Sequence, residues 1–292
     1  AGKIRNQGFE FNLGWNESLN KDLSYGVSFL GTYNKNEVVE MGAESQSIIG
    51  GTIHGGTYTS KTLAGYPIGG FWLIPTDGYF NSAEEVQAYQ KDGVLIQPSA
   101  APGDIRFKDT NNDGTIDDDD RVYCGSPFPK FTYSINGNVT YKNVDFSIGF
   151  QGVSGNKIYN ATRLELTDVT RGTNYLASTL DYWTPENHNA SQPRLIWTDP
   201  NRNARSESDR YLESGSYFRL RNLQVGYTLP NVWFHGLIQK ARVYFNAENL
   251  FTISSYSGYT PDVNSSDVYS RGFDEFIYPS NRTFMVGLNV TF

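Results

Sequence analysis

Alternation of apolar and polar residues, held over long segments that begin or end in aromatics, constrains this chain more than any other feature. A period of two marks a strand with two unlike faces. Residues 9–16 put Phe9, Phe11, Leu13 and Trp15 on one face, with Glu10, Asn12, Gly14 and Asn16 between them. Residues 22–34 put Leu23, Tyr25, Val27, Phe29 and Tyr33 against Ser24, Gly26, Ser28 and Thr32. Residues 131–141 carry Phe131, Tyr133, Ile135, Val139 and Tyr141, and residues 144–151 carry Val144, Phe146, Ile148 and Phe150. In residues 216–229, Leu223, Val225, Tyr227 and Leu229 are in phase while Phe218 and Leu220 are not. That slip predicts a bulge near Arg221 and Asn222. Residues 240–250 carry Val243, Phe245 and Ala247, and residues 282–292 carry Phe284, Val286, Leu288, Val290 and Phe292.

Alternation alone does not say what the apolar face meets. In a sandwich it meets a second sheet; in a transmembrane barrel it meets lipid while the polar face lines the lumen. Several segments reach the ~9–11 residues a tilted strand needs to cross a bilayer. Trp15, Tyr33, Phe131, Tyr141, Phe150 and Phe292 sit at segment ends, as in an interfacial girdle. Connections alternate between short (17–21, 142–143, 230–239) and long (35–130, 153–215, 252–281), the order of periplasmic turns and outer loops. The expectation is an all-β, antiparallel transmembrane barrel segment with long extracellular loops. Short turns at the periplasmic end make the first and last strands run inward. Seven strands with both outer members parallel do not close an up-and-down barrel of even strand number. The chain is therefore expected to be the C-terminal part of a larger barrel whose other strands lie upstream.

Composition removes other classes. No stretch approaches the ~20 apolar residues of a membrane-spanning helix. A formal net charge of −7 argues against a nucleic-acid partner. A single cysteine, Cys124, builds neither a disulfide scaffold nor a zinc site. Residues 1–10 hold no basic-then-apolar leader. Only His54, His188 and His235 are available for acid–base work, and no enzyme is expected. The pairs Glu84/Glu85 and Glu207/Asp209 read as solvated, and Arg202, Arg205 and Arg210 as surface charges.

Within the first long connection, residues 65–75 read as extended and 82–90 as a short helix capped by Ser82, with Glu84 and Glu85 at its N-terminus. Residues 109–120 match the order of an EF-hand calcium loop. Side-chain oxygens fall on Asp109, Asn111, Asp113 and Asp117 at positions one, three, five and nine. Gly114 permits the sharp turn, Thr115 offers its carbonyl, and Asp120 replaces the usual closing Glu. Hard oxygen donors on a tight loop suit a structural Ca²⁺; the flanks 103–108 and 121–126 do not read as helices. The competing reading is an acidic turn. Tyr66, Trp72, Tyr79, Tyr182, Trp183, Trp197, Tyr256, Tyr259 and Tyr269 make the outer loops aromatic, which suits sugar rings or peptides and equally suits packing of the loops together.

The run from Pro102 through Asp117, the Gly125-Ser-Pro-Phe-Pro-Lys130 block and Phe150-Gln-Gly-Val-Ser-Gly-Asn-Lys-Ile-Tyr-Asn160 resemble SusC-like TonB-dependent transporters of the Bacteroidetes outer membrane. So do Tyr182-Trp-Thr-Pro-Glu-Asn187, the run from Gly215 to Pro230, and that from Asn249 to Asp262. The resemblance implies a barrel of about 22 strands, of which these are the last seven, with an N-terminal plug and TonB box absent here. It implies a SusD-like surface lipoprotein as lid, coupling to the TonB complex through the N-terminal region, and oligosaccharides or peptides as cargo. It places Phe284, Val286, Leu288, Val290 and Phe292 in the terminal outer-membrane assembly signal. It directs Glu10, Asn12, Asn136, Asn138, Asp145, Gln151 and Glu248 to the plug or the transit path. The alternatives are a secreted, calcium-stabilised β-sandwich that binds carbohydrate and, lower, a glycan hydrolase.

Overall fold

The computed structural model describes residues 2–42, 46–53, 57–234, 237–263, 265 and 267–292. His54 and His235 lie outside the described residues. Seven long strands form one sheet: β1 (Lys3–Ser18), β2 (Leu23–Glu40), β3 (Phe131–Tyr141), β4 (Val144–Ser154), β5 (Tyr217–Thr228), β6 (Lys240–Ser254) and β7 (Thr283–Thr291). They lie in chain order and every neighbouring pair is antiparallel. The expected seven segments are thus all strands, most of them longer than the alternating core alone indicates. Lys142 takes φ 51°, as the tight turn between β3 and β4 requires. The sheet does not close on itself: β1 and β7 each have one neighbour.

The apolar sets share one face in register. Phe9 lies opposite Tyr33, Leu13 opposite Phe29, Ile135 opposite both Phe29 and Phe150, Ile148 opposite Leu223, and Phe245 opposite Val286. The bulge falls where the phase slips. Gly149 faces Asn222 and Phe150 faces Leu220, so Arg221 is the extra residue on β5. Without it, a one-residue offset would turn Phe218 and Leu220 inward. With it, Phe218 stacks on Phe150 at 5.1 Å on the outward face. Phe11, Phe131, Tyr133 and Phe218 continue ring to ring from β1 through β3 to β5, at centroid separations of 6.5, 5.6 and 6.3 Å, with Phe9 and Tyr33 beside them. This is a girdle at the loop-side end of the sheet. Tyr133 lies so close over Gly152 that a Cβ there would sit 2.3 Å from its ring.

No second sheet covers this face among the described residues. Phe9 is 59% exposed and Val286 78%. The sandwich alternative needs that face buried, so it is ruled out.

The buried core lies elsewhere, in the long connections. Ile53, Phe71 and Leu73 of the first connection pack with Tyr159, Ala161, Leu164 and Tyr211 of the second, and Phe273 of the third closes against them. A second cluster joins Ile158 to Tyr256, Val263 and Ile277. Short strands tie the same segments: Lys157–Asn160 pairs with Leu212–Ser214 and, in parallel, with Phe273–Asp274. The expected helix is α1 (Ala83–Ala88), with Ser82 Oγ accepting the Glu85 amide at 3.3 Å. The stretch 65–75 is extended only at Gly70–Leu73. Gly69, at φ 58°, turns the chain just before it.

Candidate functional site

The outer layer is held by charge as well as by apolar packing. Asp104 is fully buried and accepts two bonds from Arg194, at 2.6 and 2.8 Å. Asn203 Nδ2 and the Ala101 amide complete its shell at 2.8 and 2.9 Å. The bonds to Asp104 hold the Arg194 guanidinium proton more firmly than usual. Asn203 Oδ1 accepts the Ile105 amide, and Asn201 meets Gln97 at 2.8 Å. The first and second connections are thereby locked over about a hundred residues of sequence, both Asp104 carboxylate oxygens having donors.

Two expectations on charge are corrected here. Arg205 is buried: it pairs with Glu207 at 2.9 Å and lies 5.4 Å over the Phe107 ring. Glu207 is buried too, and Asp209 accepts Thr76 N and Oγ1 at 3.1 and 2.8 Å, so neither is a solvated acid. Burial raises the Asp209 carboxyl above its ordinary value. Arg210 is half-buried, 5.6 Å from the Tyr211 ring, whereas Arg202 is a largely exposed partner of Glu207.

The acidic loop folds as a chain of side-chain-to-backbone turns. Asp109 accepts the amides of Asp113 and Gly114 at 3.1 and 2.8 Å. Asn111 accepts Asp113 N at 2.9 Å, and Asp113 accepts Thr115 N at 2.8 Å. The Thr115 hydroxyl leads the bonds that lower the Asp113 carboxyl. Asp117 caps the turn Asp118–Asp120, and the buried Asp120 accepts Thr110 N and Asp117 N at 2.6 and 3.0 Å. Gly114 takes φ 96°, and Ile116 packs on Ile74, Ile105 and Phe107. Strands Ile105–Phe107 and Val122–Gly125 flank the loop, as the absence of EF helices led one to expect. Among the described residues, no three carboxylate, imidazole or thiol side chains are grouped to hold an ion. The oxygen donors fit a hard cation in type and order, while their side chains are turned onto the loop's own amides.

The aromatic candidates separate by burial. Trp183 is buried, stacked on His188 at 5.3 Å, its indole N–H donating to Asn81 at 3.1 Å. Tyr256 is buried with its hydroxyl on Asp274, and burial followed by that bond raises the phenol. Tyr79 packs on the Ile74 cluster. Tyr66 and Trp72 meet at 4.8 Å beside Tyr123. These five knit the layer together. Tyr182, Trp197 and Tyr259 present open faces, Tyr259 being 76% exposed, and Tyr269 is half-buried.

Tyr259 borders a cleft of about 650 Å³ between the second and third connections, lined also by Asn160, Arg163, Ser178, Gln192 and Ser257. Arg163 is already paired with Glu213 at 2.8 Å, so the cleft offers neutral hydrogen-bonding groups beside one aromatic face. Sequence reasoning found Tyr259 but not the cleft, because its walls come from segments about a hundred residues apart.

On the inner face, Asn136, Asn138 and Gln151 line an open groove of about 560 Å³ with Arg221 and Asn222. Gln151 accepts from Arg221 at 3.1 Å, Glu248 accepts from Asn246 at 3.2 Å, and Asp145 pairs with Arg242. Glu10 and Asn12 are exposed on the same face, opposite Thr32 and Leu30. Phe284, Val286, Leu288 and Val290 all point outward, opposite Ala247, Phe245, Val243 and Ala241, and Phe292 is exposed beyond them.

Strands that are apolar outside and polar inside, under a single layer of packed loops, define a class: the wall of a bacterial outer-membrane β-barrel. The comparisons agree. No protein-family model matches the chain. It is 30% identical to TonB-dependent receptor P3 of Formosa agariphila and 25% identical to TonB-dependent receptor SusC of Bacteroides thetaiotaomicron. All of this chain is covered in each case, against 29% and 27% of the relatives. The chain is thus a relative, along its whole length, of the C-terminal barrel portion of SusC-like TonB-dependent receptors, and its strands are those of a Gram-negative outer-membrane barrel. It spans under a third of their length. Structures of the RagAB peptide transporter share the fold, with a TM-score of 0.75 at 21% identity over all of this chain and 30% of theirs.

Proposed function

We propose that this chain supplies the last strands and three outer loops of a TonB-dependent importer of oligosaccharides or peptides. The observation that carries this is the bare apolar outer face set against a polar inner face. The likeness to TonB-dependent receptors supports this reading, and because a peptide transporter shares the fold, peptides belong in the panel to be tested. In this reading cargo is captured between the loops and a SusD-like lipoprotein lid. TonB then draws on the plug through the N-terminal region and opens the lumen. Tyr259 and the cleft beside it offer one stacking face and neutral hydrogen-bond partners to a sugar ring or a peptide backbone. Asn136, Asn138, Gln151 and the other inner-face polar residues meet the plug or the passing cargo.

Cells carrying the whole transporter should accumulate labelled oligosaccharide or peptide in a manner abolished by collapsing the proton gradient. Uptake of every cargo in such a panel that is unchanged when the transporter is removed would overturn the proposal. A lid lipoprotein should co-purify with it.

The acidic loop is proposed to take Ca²⁺ on oxygens of Asp109, Asn111, Asp113, Thr115, Asp117 and Asp120. The ion would offset the mutual repulsion of those carboxylates and so stiffen the segment; its role is structural. Half-saturation is expected at about 0.1–1 mM, the range of extracellular modules. Calorimetry on the whole transporter tests this, with Asp113→Asn expected to weaken uptake of the ion. Absence of any heat at millimolar Ca²⁺ would leave an acidic turn.

A further inference from the structure

The three short turns differ in chemistry. Two are small: Leu19 to Asp22, polar or charged apart from an exposed Leu19, and Lys142 with Asn143. The third, between β5 and β6, reads Pro-Asn-Val-Trp-Phe-His-Gly-Leu-Ile-Gln from Pro230 to Gln239, holds no acid, and is followed by Lys240. It begins as a turn of 3-10 helix, Asn231–Phe234, closed by Trp233 N on the Pro230 carbonyl at 3.1 Å. Three of its apolar side chains are not tucked in. Val232 is 79% exposed, Trp233 59% and Leu237 81%. Ten residues are far more than a hairpin needs, and three large apolar groups bared to water are unfavourable.

Position says what covers them. The turn leaves β5 just after Tyr227, which faces lipid in register with Val243. It is pinned at both ends to the same sheet, by Leu229 N on the Ala241 carbonyl and by Gln239 N on the Thr291 carbonyl, each at 2.8 Å. Ala241, which follows the turn on β6, belongs to the outward face opposite Val290, and Val243 next to it on that face is 39% exposed. The turn therefore stands at the periplasmic rim, continuous with the lipid-facing band.

We propose that Val232, Trp233 and Leu237, in the turn between β5 and β6, form an interfacial anchor seated in the periplasmic leaflet of the outer membrane. Trp at the headgroup level with apolar neighbours below and Lys240 beside it is the composition such a site requires. The anchor fixes the depth at which β5 and β6 stand in the bilayer. It rests on the barrel assignment and adds a lipid contact made outside the strands.

The test is collision accessibility of nitroxide labels on the whole transporter in phospholipid vesicles. Labels at Val232→Cys and Leu237→Cys are expected to relax more with oxygen, which partitions into lipid, than with a water-soluble nickel chelate. A label at Lys21→Cys, on a polar turn, should show the reverse order. A nickel-favoured pattern at 232 and 237 like that at 21 would overturn the anchor while leaving the barrel intact. So would labels shielded from both reagents, which would mean burial in protein. A label at Val286→Cys reads the barrel assignment separately and should favour oxygen in either case. As a second readout, brominated phospholipids should quench a share of the tryptophan fluorescence that is lost in Trp233→Phe. No loss of quenching in that variant also overturns the proposal.

Discussion

Asp104 shows how much of this molecule hangs on single buried groups. Its carboxylate takes bonds from Arg194, Asn203 and the Ala101 amide. Asp104→Ala should cost the outer layer about 3 kcal/mol, the lower end for a broken buried pair because Arg194 keeps some contact with water. Amide exchange should quicken around residues 101–107 and 201–205 while the strands stay protected. Cys124 gives a second measurement. Burial pushes its thiol from 9.0 up to about 11. At pH 8 it should therefore alkylate about a hundredfold more slowly than a free thiol. The unfolded chain gives up this proton first, so the layer loses stability as pH rises from 9.0 to about 11. Alkylation at the rate of an unfolded control would show that this core opens freely.

At the scale of elements, neighbours on one strand have opposite fates. Ile148 faces lipid and Ser147 the lumen. Ile148→Arg should destabilise the whole barrel by about 2–4 kcal/mol if it stands near the midplane, while Ser147→Arg should change little. Heat-induced unfolding of the two variants in vesicles makes the comparison, and equal effects would contradict the assignment of faces. The strands were legible in the sequence because a period of two is written into each segment without reference to any other. The bulge was legible too, since Phe218 and Leu220 break phase with Leu223 by one residue. Most of the outer layer was not. Its strands are two to five residues long, too short for a period to register, and its charges meet across large separations: Arg194 finds Asp104 ninety residues away. Arg205 and Glu207 look like solvated charges in a polar stretch, and only the fold brings Phe107 over them. Among the aromatics, composition did not separate Trp183, which fills the layer, from Tyr259, which faces out.

The whole molecule is a wall with two raw edges and a cap. β1 and β7 each leave one row of backbone donors and acceptors without a strand beside it, and the outer face is apolar across its central band. Expressed without its missing strands, the chain should sediment as aggregate in buffer and enter solution only with detergent; a monomeric species in plain buffer would speak against the barrel. The cap has a different logic. Phe71, Tyr159 and Phe273 come from three separate connections and share one interior. Such loops are inherited as a set. A single one transplanted from another transporter would arrive without the residues that fill its underside, so new cargo preferences are more readily reached by exchanging all three at once, or by altering outward side chains such as Tyr259, than by swapping one loop alone.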